Sequence, residues 1–162
     1  MTMSNALIVK NQQWCATLQQ CWHQQIPISQ AMGITAHHYH EGVFETRMPL
    51  AENINLHGTM FAGSIYSLAT LTGWGLVYLL LCESDLAGDI VLKEGQIDYI
   101  EPLISMPVGI ANVIDSEGSL TPLSQGNKAR LKVSVTIRDS NNTVAYFSGL
   151  FVVLPHLKKH GD

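Results

Sequence analysis

No aspartate, glutamate, lysine or arginine stands between Glu52 and Glu83. The stretch opens with turn-forming residues (Asn53, Asn55, His57, Gly58) and runs on as apolar chain to Cys82, long enough for about six helical turns. Thr59, Gly63, Tyr66, Thr70, Gly73 and Val77 recur at the spacing of one helix face, which is small and partly polar. Leu68, Leu71, Leu76, Leu79, Leu80 and Leu81 make the other sides apolar, so the helix is expected to be surrounded by the rest of the protein. A bilayer crossing is the rival reading. Gly63, Ser64, Ser67, Thr70, Thr72, Gly73 and Gly75 interrupt the run, and no basic cluster flanks it, so no membrane span is expected.

The 162 residues suffice for one domain, assigned here to residues 1–155 with a tail at 156–162. Charged residues make up 14% of the chain, against a usual value of about 25%, while apolar residues make up 46%. A face buried against a second copy would account for the shortfall, so a homodimer or homotetramer is expected. The net charge of −4 leaves no electrostatic footprint for nucleic acid. Three cysteines (Cys15, Cys21, Cys82) form no C-x-x-C pair, and the first residues carry no basic segment followed by a long apolar one. Reduced thiols and a cytoplasmic location are expected.

Trp14, Leu18, Cys21 and Trp22 predict an amphipathic helix over Asn11 to Gln25, stopped at Pro27, with a short turn following. Gly33 to His40 and Val43 to Leu50 alternate about Glu41-Gly42 and read as a hairpin. After the charge-free run the pattern is all strand: Ile90–Tyr99, Val108–Asp115, Ala129–Asp139 and Val144–Leu154, expected as an antiparallel meander. The fold class is therefore α+β, with an antiparallel sheet of about six strands curved round a long central helix and an N-terminal helix beside it.

The ordered set Ile26-Pro27, Met32-Gly33-Ile34, Asn53-x-Asn55-x-x-Gly58-Thr59-x-Phe61-Ala62-Gly63-Ser64, Tyr99-x-x-Pro102 and Lys128-Ala129-Arg130 resembles the hotdog-fold thioesterases. It is most similar to the thioesterase-like domain at the C-terminus of YiiD-type proteins. The resemblance implies a homo-oligomer with sites between subunits, and substrates carried as acyl thioesters on coenzyme A or acyl carrier protein. No cofactor is implied beyond the coenzyme A or phosphopantetheine that belongs to the substrate. In related phenylacetyl-type thioesterases an Asn precedes an HGG motif by six residues and an Asp follows within the helix. Here Asn55 takes the Asn position, Phe61-Ala62-Gly63 the HGG position and Thr70 the Asp position.

Hydrolysis of a thioester needs a polarised carbonyl, a placed water and a base. The N–H groups near Ala62 and Gly63 can polarise the carbonyl, and Asn55 can fix the water or the carbonyl, although Asn also commonly caps loops. Thr70 can orient water but is too weak an acid to serve as base, and it can equally bond back to its own helix. His57 is the substitute base by type. Glu94 and Asp98 share one strand face, expected to point outward. Lys128 and Arg130 are candidates for the phosphates of coenzyme A or for an acidic carrier surface. His37, His38 and His40 lack the companion ligands of a metal site, so no metal is expected. A non-catalytic acyl-thioester binding module is the alternative to a thioesterase. A hydratase or dehydratase ranks last, because the helix face offers no acid.

Overall fold

The computed structural model describes residues 5–140 and 142–156. Its elements in order are α1 (Asn5–Gln25), α2 (Pro27–Ala31), β1 (Thr35–His40), β2 (Val43–Arg47), α3 (Ala62–Glu83), β3 (Asp89–Tyr99), β4 (Pro107–Asn112), β5 (Glu117–Ser119), α4 (Thr121–Ser124), β6 (Ala129–Asp139) and β7 (Asn142–Leu154). The charge-free run forms α3 from Ala62 onward, and the α+β class stands, with seven strands in one antiparallel sheet around this helix. Leu68, Leu76, Val77 and Leu79 are fully buried, as are Ile137, Val133, Phe151 and Phe44 on the sheet face that covers them. Among the described residues α3 alone has the length and hydropathy of a membrane span, but 61% of its most apolar stretch is buried within the protein.

The strand order is β1-β2-β4-β6-β7-β3, with β5 pairing beside β6. The expected meander is wrong at β3, which pairs with β7 on the far edge and not with β4. Alternation reports which face a residue takes, not which strand lies beside it. The segment from Ile100 to Met106 therefore crosses from one edge of the sheet to β4, passing the start of α3, where Met60 N donates to Leu103 O at 2.9 Å. Leu103 is buried at that crossing.

Other boundaries moved for local reasons. Helix α1 extends back to Asn5, and Pro27, placed at the first position of α2, starts a helical turn as readily as it ends one. Thr59 belongs to the loop and not to the helix face, because Asn55 holds it there. The expected strand to Asp115 ends at Asn112, whose side chain accepts from Ile114 N and starts a 3-10 turn. Ser116-Glu117-Gly118 has the composition of a turn, yet Glu117–Ser119 pairs with β6 as β5. A bulge between Ala36 and His38 breaks the alternation of β1, so Ile34 and Tyr39 both reach the core. Asn141 and 157–162, the latter most of the expected tail, lie outside the described residues.

The two edges of the sheet differ. On β1, Gln19 Oε1 accepts from Ala36 N at 3.1 Å and Asn11 Nδ2 donates to Tyr39 O at 3.3 Å, so side chains of α1 occupy groups that another strand would use. Among the described residues no strand lies along the outer edge of β3.

Candidate active site

The loop before α3 is built on two asparagines. Asn53 is buried and donates to Met32 O and Pro49 O, both at 2.8 Å, while its carbonyl accepts from Phe61 N at 2.7 Å. Asn55 Oδ1 accepts from His57 N at 2.8 Å and Thr59 N at 3.3 Å, and its Nδ2 donates to Thr59 Oγ1 at 2.9 Å. The amide of Asn55 thus shapes the loop, where the sequence had offered it for chemistry, and Asn53, read only as a turn former, is the residue locked into the core. Gly58 takes φ of 74°, the left-handed region that suits glycine, at the tip of the turn.

Helix α3 begins at Phe61, whose backbone is extended at φ −62° and ψ 131°. Ser64 N and Ile65 N close on Phe61 O at 3.0 and 3.1 Å. The N–H groups of Ala62 and Gly63 take no hydrogen bond among the described residues, so two donors at the positive end of a 22-residue helix stay unpaired. The half-exposed ring of Phe61 folds over Gly63, where a Cβ would come within 2.4 Å of it. The space left by this glycine is filled by a movable aromatic ring.

Ala62 lines a cleft of about 330 Å³ together with Asn55, Thr59, Met60, Ile65 and the crossing segment from Tyr99 to Leu103, and Gly63 follows it in the same turn of helix. Tyr99 Oη donates to Ala62 O at 2.9 Å and ties the end of β3 to the first turn of the helix. Burial and the neighbouring Tyr66 hydroxyl hold the Tyr99 phenol above its ordinary pKa, so it stays a donor. Exposed apolar residues surround the cleft: Ile54, Leu56, Phe61, Ile100, Ile104 and Met106.

Of the residues singled out from the sequence, Asn55 and Ala62 line this cleft, and Phe61 and Gly63 adjoin it. The His57 side chain is on the exposed outside of the loop. Thr70 lies two turns along α3, half-buried and beyond the cleft. Its Oγ1 is enclosed and has no partner, whereas Ser67 and Thr72 bond back to Gly63 O and Leu68 O. Lys128 and Arg130 are exposed at the start of β6, in the row formed by Ala129, Val153 and Ile90. That row is the opposite end of β3 from Tyr99, so within one protomer they do not meet the cleft. Glu94 and Asp98 line shallow depressions on the outer sheet face with Lys132 and Ser134, as expected. Glu101 is the acidic residue among those that line the cleft, and alternation could not find it, because β3 ends at Tyr99. Among the described residues no group of three His, Cys, Asp or Glu is placed to hold a metal ion.

A long helix wrapped by an antiparallel sheet, with a cleft beside the first turn of the helix, defines a hotdog-type thioesterase fold. The chain belongs to the family described as "Putative thioesterase (yiiD_Cterm)", whose model matches residues 15–155. It is similar to a putative thioesterase from Shewanella oneidensis at 41% identity, with a TM-score of 0.86 over 89% of this chain and 99% of that one. A protein of unknown function from Chlorobaculum tepidum matches at 27% identity and a TM-score of 0.78, over 90% and 96% of the two chains. A thioesterase from Haemophilus influenzae shares the fold at 18% identity and a TM-score of 0.71, over 91% and 94%.

Proposed function

We propose that this protein hydrolyses acyl thioesters carried on coenzyme A or acyl carrier protein, releasing a free acid and a thiol. The unpaired N–H groups of Ala62 and Gly63 carry this reading. Donors aimed at a carbonyl oxygen as it gains charge are worth most where water is excluded, and a helix N-terminus adds its own positive potential. Asn55 holds the loop that sets their position and presents its face to the cleft. His57 and Thr70 then act on water or acyl chain from outside the first turn.

The working unit in this proposal is a homodimer paired through the open edge of β3. Among the described residues β3 has only β7 as a neighbouring strand, with Ile90 O taken by Trp74 Nε1 at 3.0 Å. An edge strand of eleven residues is a template for a second strand, and the exposed apolar rim of the cleft lies at the same place. Antiparallel pairing of β3 with its copy sets the Tyr99 end of one protomer against the Asp89 end of the other. The partner subunit's Lys128 and Arg130 then lie about three strand spacings of about 4.8 Å away, within reach of the phosphates of a bound coenzyme A. Location in the cytoplasm, where these thioesters occur, belongs to the same proposal.

The deciding experiment is thiol release from acyl-CoA esters, acetyl to long-chain and aromatic, and from acyl carrier protein thioesters, by wild type, Ala62→Pro and Ala62→Val. Proline at the first helical position keeps the helix and deletes one N–H, and the extended Phe61 is the conformation a following proline requires. Ala62→Pro is expected to lose turnover by on the order of 100-fold with its unfolding midpoint kept, while Ala62→Val retains most of it. Equal rates in all three would remove the N–H groups from the chemistry. Binding of a non-hydrolysable acyl-CoA ether without turnover of any ester would make the protein a binding module.

A further inference from the structure

We infer that Glu101 is the general base of the reaction, supplying from the crossing segment the carboxylate that the first turns of α3 lack. The inference rests on the thioesterase reading above and adds a residue that neither the helix pattern nor strand alternation marks. Three observations carry it.

The first is placement. Glu101 lines the same cleft as Asn55 and Ala62, whose N–H is one of the two unpaired donors. The other candidates are elsewhere: Thr70 deeper along the helix, Glu94 and Asp98 on the outer sheet face, and His57 outside the loop. The second is anchoring. Ile100 N and Glu101 N both close on Val144 O, at 2.8 and 3.3 Å, Leu103 O accepts from Met60 N, and Tyr99 Oη holds Ala62 O. Pro102 confines the Glu101 backbone further. The chain is thus fixed on both sides of Glu101 by bonds to the loop and to the helix start. The third is availability. Arg47, Lys93 and three histidines of the described residues sit within 4 Å of other carboxylates, and none within that distance of Glu101. A carboxylate already neutralised by a cation would be a poorer base.

The chemistry balances with this one group. The carboxylate of Glu101 takes a proton from a water in the cleft as that oxygen bonds to the thioester carbon. The carbonyl electron pair moves to oxygen, facing the Ala62 and Gly63 N–H groups. Collapse restores the carbonyl and breaks the carbon–sulfur bond, and the proton held by Glu101 passes to the departing sulfur. The products are one carboxylic acid and one thiol, with Glu101 returned to its starting form.

The test compares Glu101→Gln and Glu101→Asp with wild type and with Asp98→Asn, on the ester that wild type turns over fastest. Removing a general base typically costs 10²–10⁴-fold, so Glu101→Gln should lose on the order of 100-fold in kcat or more with KM little moved. The acid limb of the pH–rate profile, produced by protonation of the base, should vanish in the same variant. Glu101→Asp, one methylene shorter, should fall between, and Asp98→Asn should match wild type. Because Glu101 is exposed, the unfolding midpoint of the Gln variant should stay with wild type, and if it does not, the Asp variant's profile decides. Full turnover and an unchanged acid limb in Glu101→Gln would overturn this assignment and leave the thioesterase reading standing. Absence of turnover in wild type itself on every ester would overturn both.

Discussion

Helix α3 carries glycines at Gly63, Gly73 and Gly75, and propensity alone says that alanine would improve each by up to about 1 kcal/mol. Packing reverses that sign at Gly75. A Cβ there would stand 2.4 Å from Phe44 Cε1 and 2.9 Å from Trp22 Cζ2, and both rings are fully buried. They lie tilted against each other with centroids 6.2 Å apart, and Trp74 packs on the far side of Trp22 at 6.5 Å. Neither ring can yield without moving the other, and overpacking of this kind costs about 1–3 kcal/mol. At a contact this short the upper half of that range applies, leaving Gly75→Ala about 1–2 kcal/mol less stable after the propensity gain. For a chain of this size that is a fall in Tm of about 3–6 °C. Gly63 is the internal control. Its Cβ would strike only the Phe61 ring, which is half-exposed and can swing into solvent, so Gly63→Ala should stay within about 0.5 kcal/mol of wild type. Urea unfolding followed by tryptophan fluorescence, at one fixed protein concentration, reads both variants with a common m-value. A Gly75→Ala protein as stable as wild type would refute the claim that Phe44 and Trp22 define the closest approach of helix to sheet.

Burial pushes the Cys15 thiol up to about 11, so at pH 8 it should resist iodoacetamide in the native protein and react in urea, as read by peptide mass spectrometry; rapid native labelling would show the α1 contact to be open. Hydrogen bonds from Ser105 first, then Ile104 N at 3.2 Å and Ser140, hold the Asp139 carboxyl below its ordinary value of 3.8. A lowered acid stabilises the fold above that ordinary value and loses the contribution as pH falls through its own, so the stability gap between wild type and Asp139→Ala should shrink below pH 3.8; a gap constant from pH 3 to 6 would contradict it. Replacing Lys128 and Arg130 together by alanine should raise KM for coenzyme A esters with kcat kept, and leave simple pantetheine esters, which lack the nucleotide phosphates, unaffected. An equal effect on both ester types would place these cations outside the site.

The parts legible from sequence were those with a strong period or a strong silence. The charge-free run forms α3, and the alternation of Leu131, Val133, Val135 and Ile137 marks the buried side of β6. Asn53 and Asn55 could be seen as turn formers, but not that one is locked into the core and the other into its own loop, since both facts depend on partners such as Met32 and Thr59. The crossover of β3 and the entry of Glu101 into the cleft were hidden for a related reason. Each depends on which distant strand lies alongside, and pairing leaves no local mark on the residues it joins. The bulge in β1 is of the same kind, because one extra residue shifts Tyr39 inward without changing its neighbours in sequence.

The sealing of β1 has a consequence for how many molecules can join. Gln19 and Asn11 occupy two backbone groups on that border, so the proposed dimer leaves β3 as the border through which the sheet is extended. A ribbon that can extend at both borders polymerises, whereas one that can extend at a single border stops as soon as it meets its like. In the dimer proposed above, growth by strand addition would therefore terminate at two molecules, and concentrating this protein should fill a closed pair and not lengthen a fibre. Removing the side-chain cover from β1 would give the sheet its second border back.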